Sequence, residues 1–402
     1  MAPERYNMNV LIYDPTFHTI SGSVKYLLPI IDHLSQKHDV TLLGDRLFDE
    51  RLFLTYYGYI LKDTVDIRSL ETEGHPPIPM RLTRTLTTLH WCRVISNESA
   101  HFDVFINNAA ASHSYIEPRT DLSLGILHAP PSLPNYQPRS WHAKLNHKIT
   151  TTIAKKSSLG PRYKDYRHIV TPSVNIMSLM QQEWNHPSIT CCPSWTDFVD
   201  PEDDPKAVPK KNVILSVIRL NHEHTHRIDL LINAFTLLLN TGIKEWSLHI
   251  VIGSDPLMSE RDFMYLSNLK SKIRSLPVYF HINLPYHLLK KLYRQARFFW
   301  HCKCISRKDA SDTFDQGIRG GTVLDAMRQG AVPLVLAGGA ADGFIEHGTS
   351  GLLLKAAEDY VSRTLYLITN PAEMSTMSQA AYKRSLLFSK EVFMQHVKEL
   401  LP

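Results

Sequence analysis

The sequence lacks any long hydrophobic segment. No apolar run approaches the roughly 20 residues that a membrane-spanning helix needs, and the N-terminal MAPERYNMN has no apolar core of the kind found in signal peptides. Cysteine is scarce and odd in number: the five cysteines include the neighbours Cys191 and Cys192 and a Cys-x-Cys at Cys302 and Cys304. A secreted disulfide framework is therefore not indicated. A reducing cytoplasm is the expected location.

The sequence has no large excess of positive or negative charge, because the net charge is only +5 over 402 residues. The basic excess is concentrated over 139–167. This segment would suit anionic lipid on the inner face of a membrane, as a peripheral contact, or a phosphorylated acceptor. Its weak helical apolar stripe slightly favours a simple solvated surface. No nucleic-acid-binding motif is present, so nucleic acid is not an expected partner.

Apolar runs alternate with helical patterns along the chain, which has the length of two domains. Residues 9–13 predict a strand, 24–34 a helix and 39–43 a strand, which together form a βαβ unit. Residues 46–100 are hard to interpret. Later strands are predicted over 101–107, 122–127, 168–171, 212–218, 246–252, 278–282, 298–300 and 331–336. The proline- and acid-rich segment 197–211 predicts an interdomain linker. No Gly-x-Gly-x-x-Gly occurs, so a nicotinamide dinucleotide fold gains no support.

The most informative stretch is 297–354. After the aromatic strand, the sequence becomes polar and glycine-rich, and a helix is then predicted with Thr322 as its N-cap and Gly330 at its end. A strand, a glycine-rich loop and a helix N-terminus together make an anion site, because unpaired N–H groups and the helix dipole point into the loop. Asp325, in the first turn, could accept hydrogen bonds from sugar hydroxyls.

These residues carry a resemblance to a known family. Asp325-Ala-Met, Gly330-Ala-Val-Pro333, Gly338-Gly339 and Glu346-His-Gly348 follow the donor-site signature of the retaining glycosyltransferases of family 4. The resemblance implies an α/β protein of the GT-B fold, with two Rossmann-like domains facing across a cleft. The domains would be 1–200 on the acceptor side and 201–375 on the nucleotide-sugar side. The remaining segment, 376–402, would return to the first domain as part of one long final helix, predicted over about residues 374 to 401.

The first acid of that signature has shifted. The position eight residues before Asp325 is Gly317, so the resemblance makes Asp315, or with less support Asp312, the counterpart; the alternative is that this acid is lost. Both acids would then be Asp rather than Glu. The shorter side chains leave the identity of the donor sugar open.

The cations expected at the diphosphate are only partly present. Arg219 ends a strand, as the resemblance requires, but the Lys expected five positions later is replaced by His226 or His224, with Arg227 adjacent. The same segment, from His222 to His226, spells the His-Glu-x-x-His of zinc proteases. It falls in a predicted loop, where its two histidines do not share a helix face, so catalytic zinc is not expected.

Other site residues are implied by the resemblance. Gly22 would admit the donor diphosphate or the acceptor. His128, in an exposed loop before Pro130 and Pro131, would approach the donor sugar; the alternative is a histidine that only hydrogen-bonds a loop. The remaining positions expected at the donor are Asn283, Leu284, Gly320 and Gly321, with the backbone of the first two at the nucleobase.

The implied activity is transfer of a hexose-type sugar, with retention, from a nucleoside-diphosphate sugar to an acceptor hydroxyl. Neither a cofactor nor a metal is implied, and the acceptor is left open as a glycan, a lipid-linked compound or a small molecule. The alternatives are an epimerase or phosphorylase of the same fold, or a binding protein with weakened catalysis. Such a binding protein would explain the missing Lys and the displaced first acid.

Overall fold

The structure is a computed structural model. It describes residues 7–71, 81–128, 162–184, 186, 188–196, 209–220, 228–254, 259–273, 275–301, 320–337 and 340–401. Two parallel sheets flanked by helices occupy successive parts of the chain. The predicted α/β class and the two Rossmann-like units are thereby confirmed. No helix of these described residues is long and apolar enough to cross a membrane.

The first sheet has seven strands in the order β3-β2-β1-β4-β5-β6-β7. These strands are β1 (Asn9–Tyr13), β2 (Asp39–Gly44), β3 (Asp66–Ser69), β4 (Val104–Asn107), β5 (Leu122–Ile126), β6 (His168–Thr171) and β7 (Ile189–Cys191). The accompanying helices are α1 (Gly22–Leu34), α2 (Arg51–Tyr57), α3 (Arg81–Ser99) and α4 (Val174–Trp184). Alternate residues of β1 point to opposite faces: Val10 and Ile12 pack with α1, and Leu11 and Tyr13 pack with α3.

The second sheet has six strands in the order β10-β9-β8-β11-β12-β13. These strands are β8 (Val213–Arg219), β9 (Ser247–Gly253), β10 (Val278–Ile282), β11 (Phe298–His301), β12 (Val332–Leu336) and β13 (Leu352–Leu354). The helices of this half are α5 (Ile228–Asn240), α6 (Glu260–Lys272), α7 (Tyr286–Gln295), α8 (Gly321–Arg328), α9 (Asp359–Thr369) and α10 (Pro371–Ser385). Both faces of the sheet are buried, which is typical of parallel sheets and explains their continuous apolar runs.

The C-terminal segment is not one long helix, and this part of the prediction is wrong. Helix α10 ends at Ser385, a 3-10 turn follows over Leu386–Phe388, and Ser389 caps a separate helix, α11 (Lys390–Lys398). The apolar face of α11 nevertheless packs into the core of the first half, where Phe393, Met394 and Val397 are buried. Lys390 also lies 3.2 Å from Asp32 of α1. The domain limits 1–200, 201–375 and 376–402 stay a prediction.

Candidate active site

A cavity of about 350 Å³ lies between the two halves of the chain. The first half supplies the β1–α1 loop and the start of α1, and the second half supplies the carboxyl ends of β8 and β9, the turn after β10 and the start of α8. The carboxyl edge of a parallel sheet is where ligands of open α/β folds bind. The cavity therefore has the position of an active site.

Most of the predicted donor-site residues come together in this cavity. The predicted residues that line it are Gly22, Arg219, Asn283, Leu284, Gly320, Gly321, Thr322 and Asp325. His226, Arg227 and Asp315 lie outside the described residues, as do Asp312, Gly338, Gly339 and the whole His-Glu-x-x-His segment. Within the described residues, no group of three or more His, Cys, Asp or Glu is arranged to hold a metal ion.

The N-terminus of α8 forms one wall of the cavity. The helix begins at Gly321, and its N-cap is Gly320 rather than Thr322, which lies in the first turn. Gly320 has a left-handed φ of 73°, and a Cβ there would lie 2.1 Å from Cζ of Phe344. Glycine has no side chain with which to cap this end of the helix. Its first N–H groups therefore keep the character of an anion-binding site.

Arg219 forms the facing wall at the end of β8. Its Nη2 donates a hydrogen bond of 3.0 Å to Oγ1 of Thr19, which lies in the other half of the chain. The neighbouring strand ends at Gly253, where an added Cβ would be 3.6 Å from the backbone oxygen of Ile20. The two halves therefore approach closely here, beside a fixed positive charge.

The turn after β10 is held in a defined shape. Asn283 has a positive φ of 48°, and its side-chain Oδ1 accepts a hydrogen bond of 2.8 Å from the backbone N–H of Ser254. Its own backbone N–H donates to the oxygen of Ile252 at 2.8 Å. These bonds fix the backbone of Asn283 and Leu284 at the cavity wall.

Asp325 is buried, with 5% of its surface exposed, and its carboxylate is bound by side chains from the first half of the chain. Lys25 Nζ lies 2.6 Å from each carboxylate oxygen, and Thr196 Oγ1 donates to Oδ1 at 2.8 Å. Burial raises the pKa of Asp325, while the ammonium of Lys25 and the hydrogen bonds of Lys25 and Thr196 oppose that rise. The predicted sugar-binding carboxylate is therefore engaged in an ion pair between the halves.

Sequence reasoning missed Lys25 and Thr196. The available signal for Lys25 was its position: it follows Gly22 by about one helical turn, so it must project from the same end of α1. Thr196 carried no such signal, because it follows the short strand β7 and reaches Asp325 only through the fold.

His128 does not line the cavity, and the expectation that it would be exposed is wrong. Only 6% of its surface is exposed. Its ring packs edge-on against Tyr26, with centroids 5.1 Å apart, and Tyr26 does line the cavity. Nε2 of His128 lies 2.7 Å from Oδ1 of Asn108. The amide nitrogen of Asn108 donates to Asp14 and to the oxygen of Ser23, so Oδ1 is the acceptor and Nε2 of His128 carries a proton.

Two facing Rossmann-like units with a shared cavity define the class of fold as GT-B, and comparisons with solved structures agree. The chain is similar to Anabaena HepE in complex with UDP and glucose, at 15% identity, with 98% of this chain and 99% of that chain covered and a TM-score of 0.67. It is similar to sucrose-phosphate synthase from Thermosynechococcus elongatus, at 14% identity, 98% and 98% coverage and a TM-score of 0.71. It is also similar to a glycosyltransferase from Rickettsia africae, at 12% identity, with 98% of this chain and 97% of that chain covered and a TM-score of 0.65.

The family described as "Glycosyl transferases group 1" matches residues 200–384 of the chain. That range contains β8 to β13 and the cavity residues of the second half, from Arg219 to Asp325. No curated protein matches the chain.

Proposed function

We propose that the protein is a retaining glycosyltransferase that moves a hexose-type sugar from a nucleoside-diphosphate sugar to an acceptor hydroxyl. The observation that carries the proposal is the pairing of Arg219 with the glycine-capped N-terminus of α8 around one cavity. A cation facing a set of backbone N–H groups suits a diphosphate. The family match over the second half supports the same activity.

The diphosphate would lie between Arg219 and the amides of Gly321 and Thr322. Breaking the bond between the sugar C1 and the phosphate oxygen places negative charge on the departing diphosphate. Groups already fixed where that charge develops lower the barrier, because they need no reorganisation during the reaction. His226 or Arg227 would add to this charge stabilisation as the counterpart of the Lys that the sequence lacks.

Retention would follow from attack on the face that the leaving group departs from. The acceptor oxygen bonds to C1 as the C1–O bond to phosphate breaks, and the acceptor proton passes to the departing phosphate oxygen. No side-chain base or metal ion is assigned a part in this step. Asp325 and Asp315 would hold hydroxyls of the donor. His128 would not touch the donor directly and would contribute only by packing against Tyr26, which lines the cavity. The turn at Asn283 and Leu284 would contact the base.

The first donors to test contain uridine, because Anabaena HepE is described in complexes with UDP and with UDP-glucose. UDP-, ADP- and GDP-hexoses are incubated with the protein and a set of acceptor alcohols, and the anomeric proton is followed by NMR. We expect release of one nucleoside diphosphate, with the new sugar bond in the configuration of the donor. Inversion would contradict retention, and the absence of release from every donor would contradict the transferase proposal.

A binding protein with weakened catalysis is the second candidate. It is favoured by the ion pair of Asp325 with Lys25, which occupies the carboxylate expected to hold donor hydroxyls. That candidate predicts binding of a nucleoside diphosphate without turnover of any donor.

A further inference from the structure

The charges that line the cavity come from both halves of the chain. Among the described lining residues, Arg219 is the arginine and Lys25 the lysine, and Asp325 is the carboxylate. Arg219 is the last residue of β8 in the second half, whereas Lys25 belongs to α1 of the first half. A leaving diphosphate carries more than one negative charge, so a single fixed guanidinium neutralises it only in part.

Lys25 lies close to the expected diphosphate position. Its Nζ is 2.6 Å from the carboxylate of Asp325, which follows Gly321 by four residues in α8. One helical turn rises about 5.4 Å, so the residue that Lys25 contacts lies roughly one turn from the first amides of α8. A lysine side chain has a flexible four-carbon stem and can cover such a distance by changing rotamer.

The surroundings of Lys25 allow such a movement. Its side chain is 22% exposed, whereas that of Asp325 is 8% exposed. The ring of Trp195 lies 5.3 Å from Nζ and also lines the cavity, so it offers the ammonium a favourable aromatic surface. Thr196 keeps a hydrogen bond to Asp325 that does not depend on Lys25.

We propose that Lys25 is a donor-binding residue, which leaves Asp325 and contacts the diphosphate when a nucleoside-diphosphate sugar enters the cavity. This inference rests on the proposed function and adds a cation from the first half of the chain. The exchange also releases the carboxylate of Asp325 to accept hydrogen bonds from hydroxyls of the donor. The competing view is a static ion pair that only joins the two halves.

Inorganic diphosphate is the decisive probe, because it has neither a base nor hydroxyls for Asp325 to hold. Its affinity is measured by titration calorimetry for the wild type, Lys25→Met, Asp325→Asn and the double variant. We expect Lys25→Met to weaken binding about tenfold or more, as the loss of one charge-assisted hydrogen bond does. Asp325→Asn should tighten binding, since the carboxylate no longer competes for Lys25.

The double variant separates the exchange from general electrostatics. If Lys25 moves to the diphosphate, Asp325→Asn tightens diphosphate binding relative to the wild type. The double variant should then bind diphosphate hardly more tightly than Lys25→Met. Equal tightening in both backgrounds would overturn the proposal, and so would an unchanged affinity in Lys25→Met. Should Lys25→Met fold poorly because it leaves Asp325 without its cation, Asp325→Asn and the double variant still differ only at Lys25. Asp325→Asn should then bind diphosphate at least about tenfold more tightly than the double variant.

Two controls complete the experiment. Lys25→Arg keeps the positive charge and should keep most of the affinity, and Arg51→Met removes a cation from an exposed surface position and should change nothing. The wild type is titrated in parallel with UDP, ADP and GDP. Failure of the wild type to bind any of them would overturn the proposed function itself. Binding that is unaffected by Lys25→Met would overturn only the role of Lys25.

Discussion

Arg219 and Thr19 are joined across the cavity by a hydrogen bond of 3.0 Å from the guanidinium Nη2 to the threonine Oγ1. The bond holds the guanidinium at the point where the two halves meet. We expect Arg219→Ala to lower kcat/KM about a hundredfold, the scale of one lost group that stabilises charge in the transition state. Steady-state kinetics with the preferred donor measures this effect.

Thr19→Val is the matched control for that variant, because it removes the partner hydroxyl and keeps the cation. Its effect should stay within about tenfold, because it removes one charge-assisted hydrogen bond but keeps the guanidinium beside the cavity. Unchanged turnover in Arg219→Ala would remove Arg219 from the mechanism.

Gly320 and Gly321 make a paired test of the start of α8. Gly320→Ala should lower the free energy of unfolding by about 2 kcal/mol or more, because the added Cβ meets the ring of Phe344 and the φ of 73° disfavours a side chain. Gly321→Ala adds a Cβ that has no atom of the described residues within 4 Å and should change stability by less than about 0.5 kcal/mol. Urea unfolding of both variants gives the comparison, and equal stabilities would contradict this geometry.

The strands predicted from the sequence were largely those that the structure contains, and the reason lies in burial. Strands such as Val10–Ile12 in β1 are apolar on both faces because helices cover both sides of the sheet. The strands β3, β7 and β13 were missed. They are three or four residues long, and their sequences, DIRS, ITC and LLL, show no period that separates a strand from a turn.

The site was predictable only where its residues belong to one local pattern. The neighbouring sequence was enough to place Arg219 at the end of a strand and Gly320 just before a helix. Lys25 and Asp325 are separated by 300 positions and meet only because the two halves pack together. His128 was predicted to be exposed from the prolines that follow it, whereas Tyr26 and Asn108 of other elements cover it.

Ser389 tests the break in the C-terminal segment. Its hydroxyl accepts a hydrogen bond from the N–H of Val392 and begins α11. Ser389→Ala should lower the free energy of unfolding by about 1 kcal/mol, and Ser389→Asp should retain most of the stability, because aspartate also caps helices. Thermal and urea unfolding measure the difference. Equal effects of alanine and aspartate would show that the cap has no part in placing α11.

Asp45 gives a prediction for pH. Burial raises the pKa of Asp45 to about 7, although Tyr13 opposes this by donating a hydrogen bond of 2.7 Å to its Oδ1. In the unfolded chain the pKa is about 3.9. The folded protein therefore binds more protons between about pH 4 and pH 7, and this group makes the free energy of unfolding fall as pH rises through that range.

Asp45→Asn removes that dependence. The loss between pH 4 and pH 7 should shrink by about 2 kcal/mol, less than the full linkage value because the half-buried carboxylate is partly screened by water. Urea unfolding at intervals across this range measures the slope, and the exposed Asp121→Asn serves as the control. A variant that follows the wild-type slope would show that Asp45 titrates normally in the folded protein.

The most direct test of the account is calorimetric titration of the wild type with UDP, ADP and GDP, each beside its own nucleoside. If Arg219 and the start of α8 bind the diphosphate, one nucleoside diphosphate should bind at least about tenfold more tightly than its nucleoside. Arg219→Ala should then remove most of this difference. Equal binding of nucleotide and nucleoside, or no binding of any nucleotide, would contradict the account.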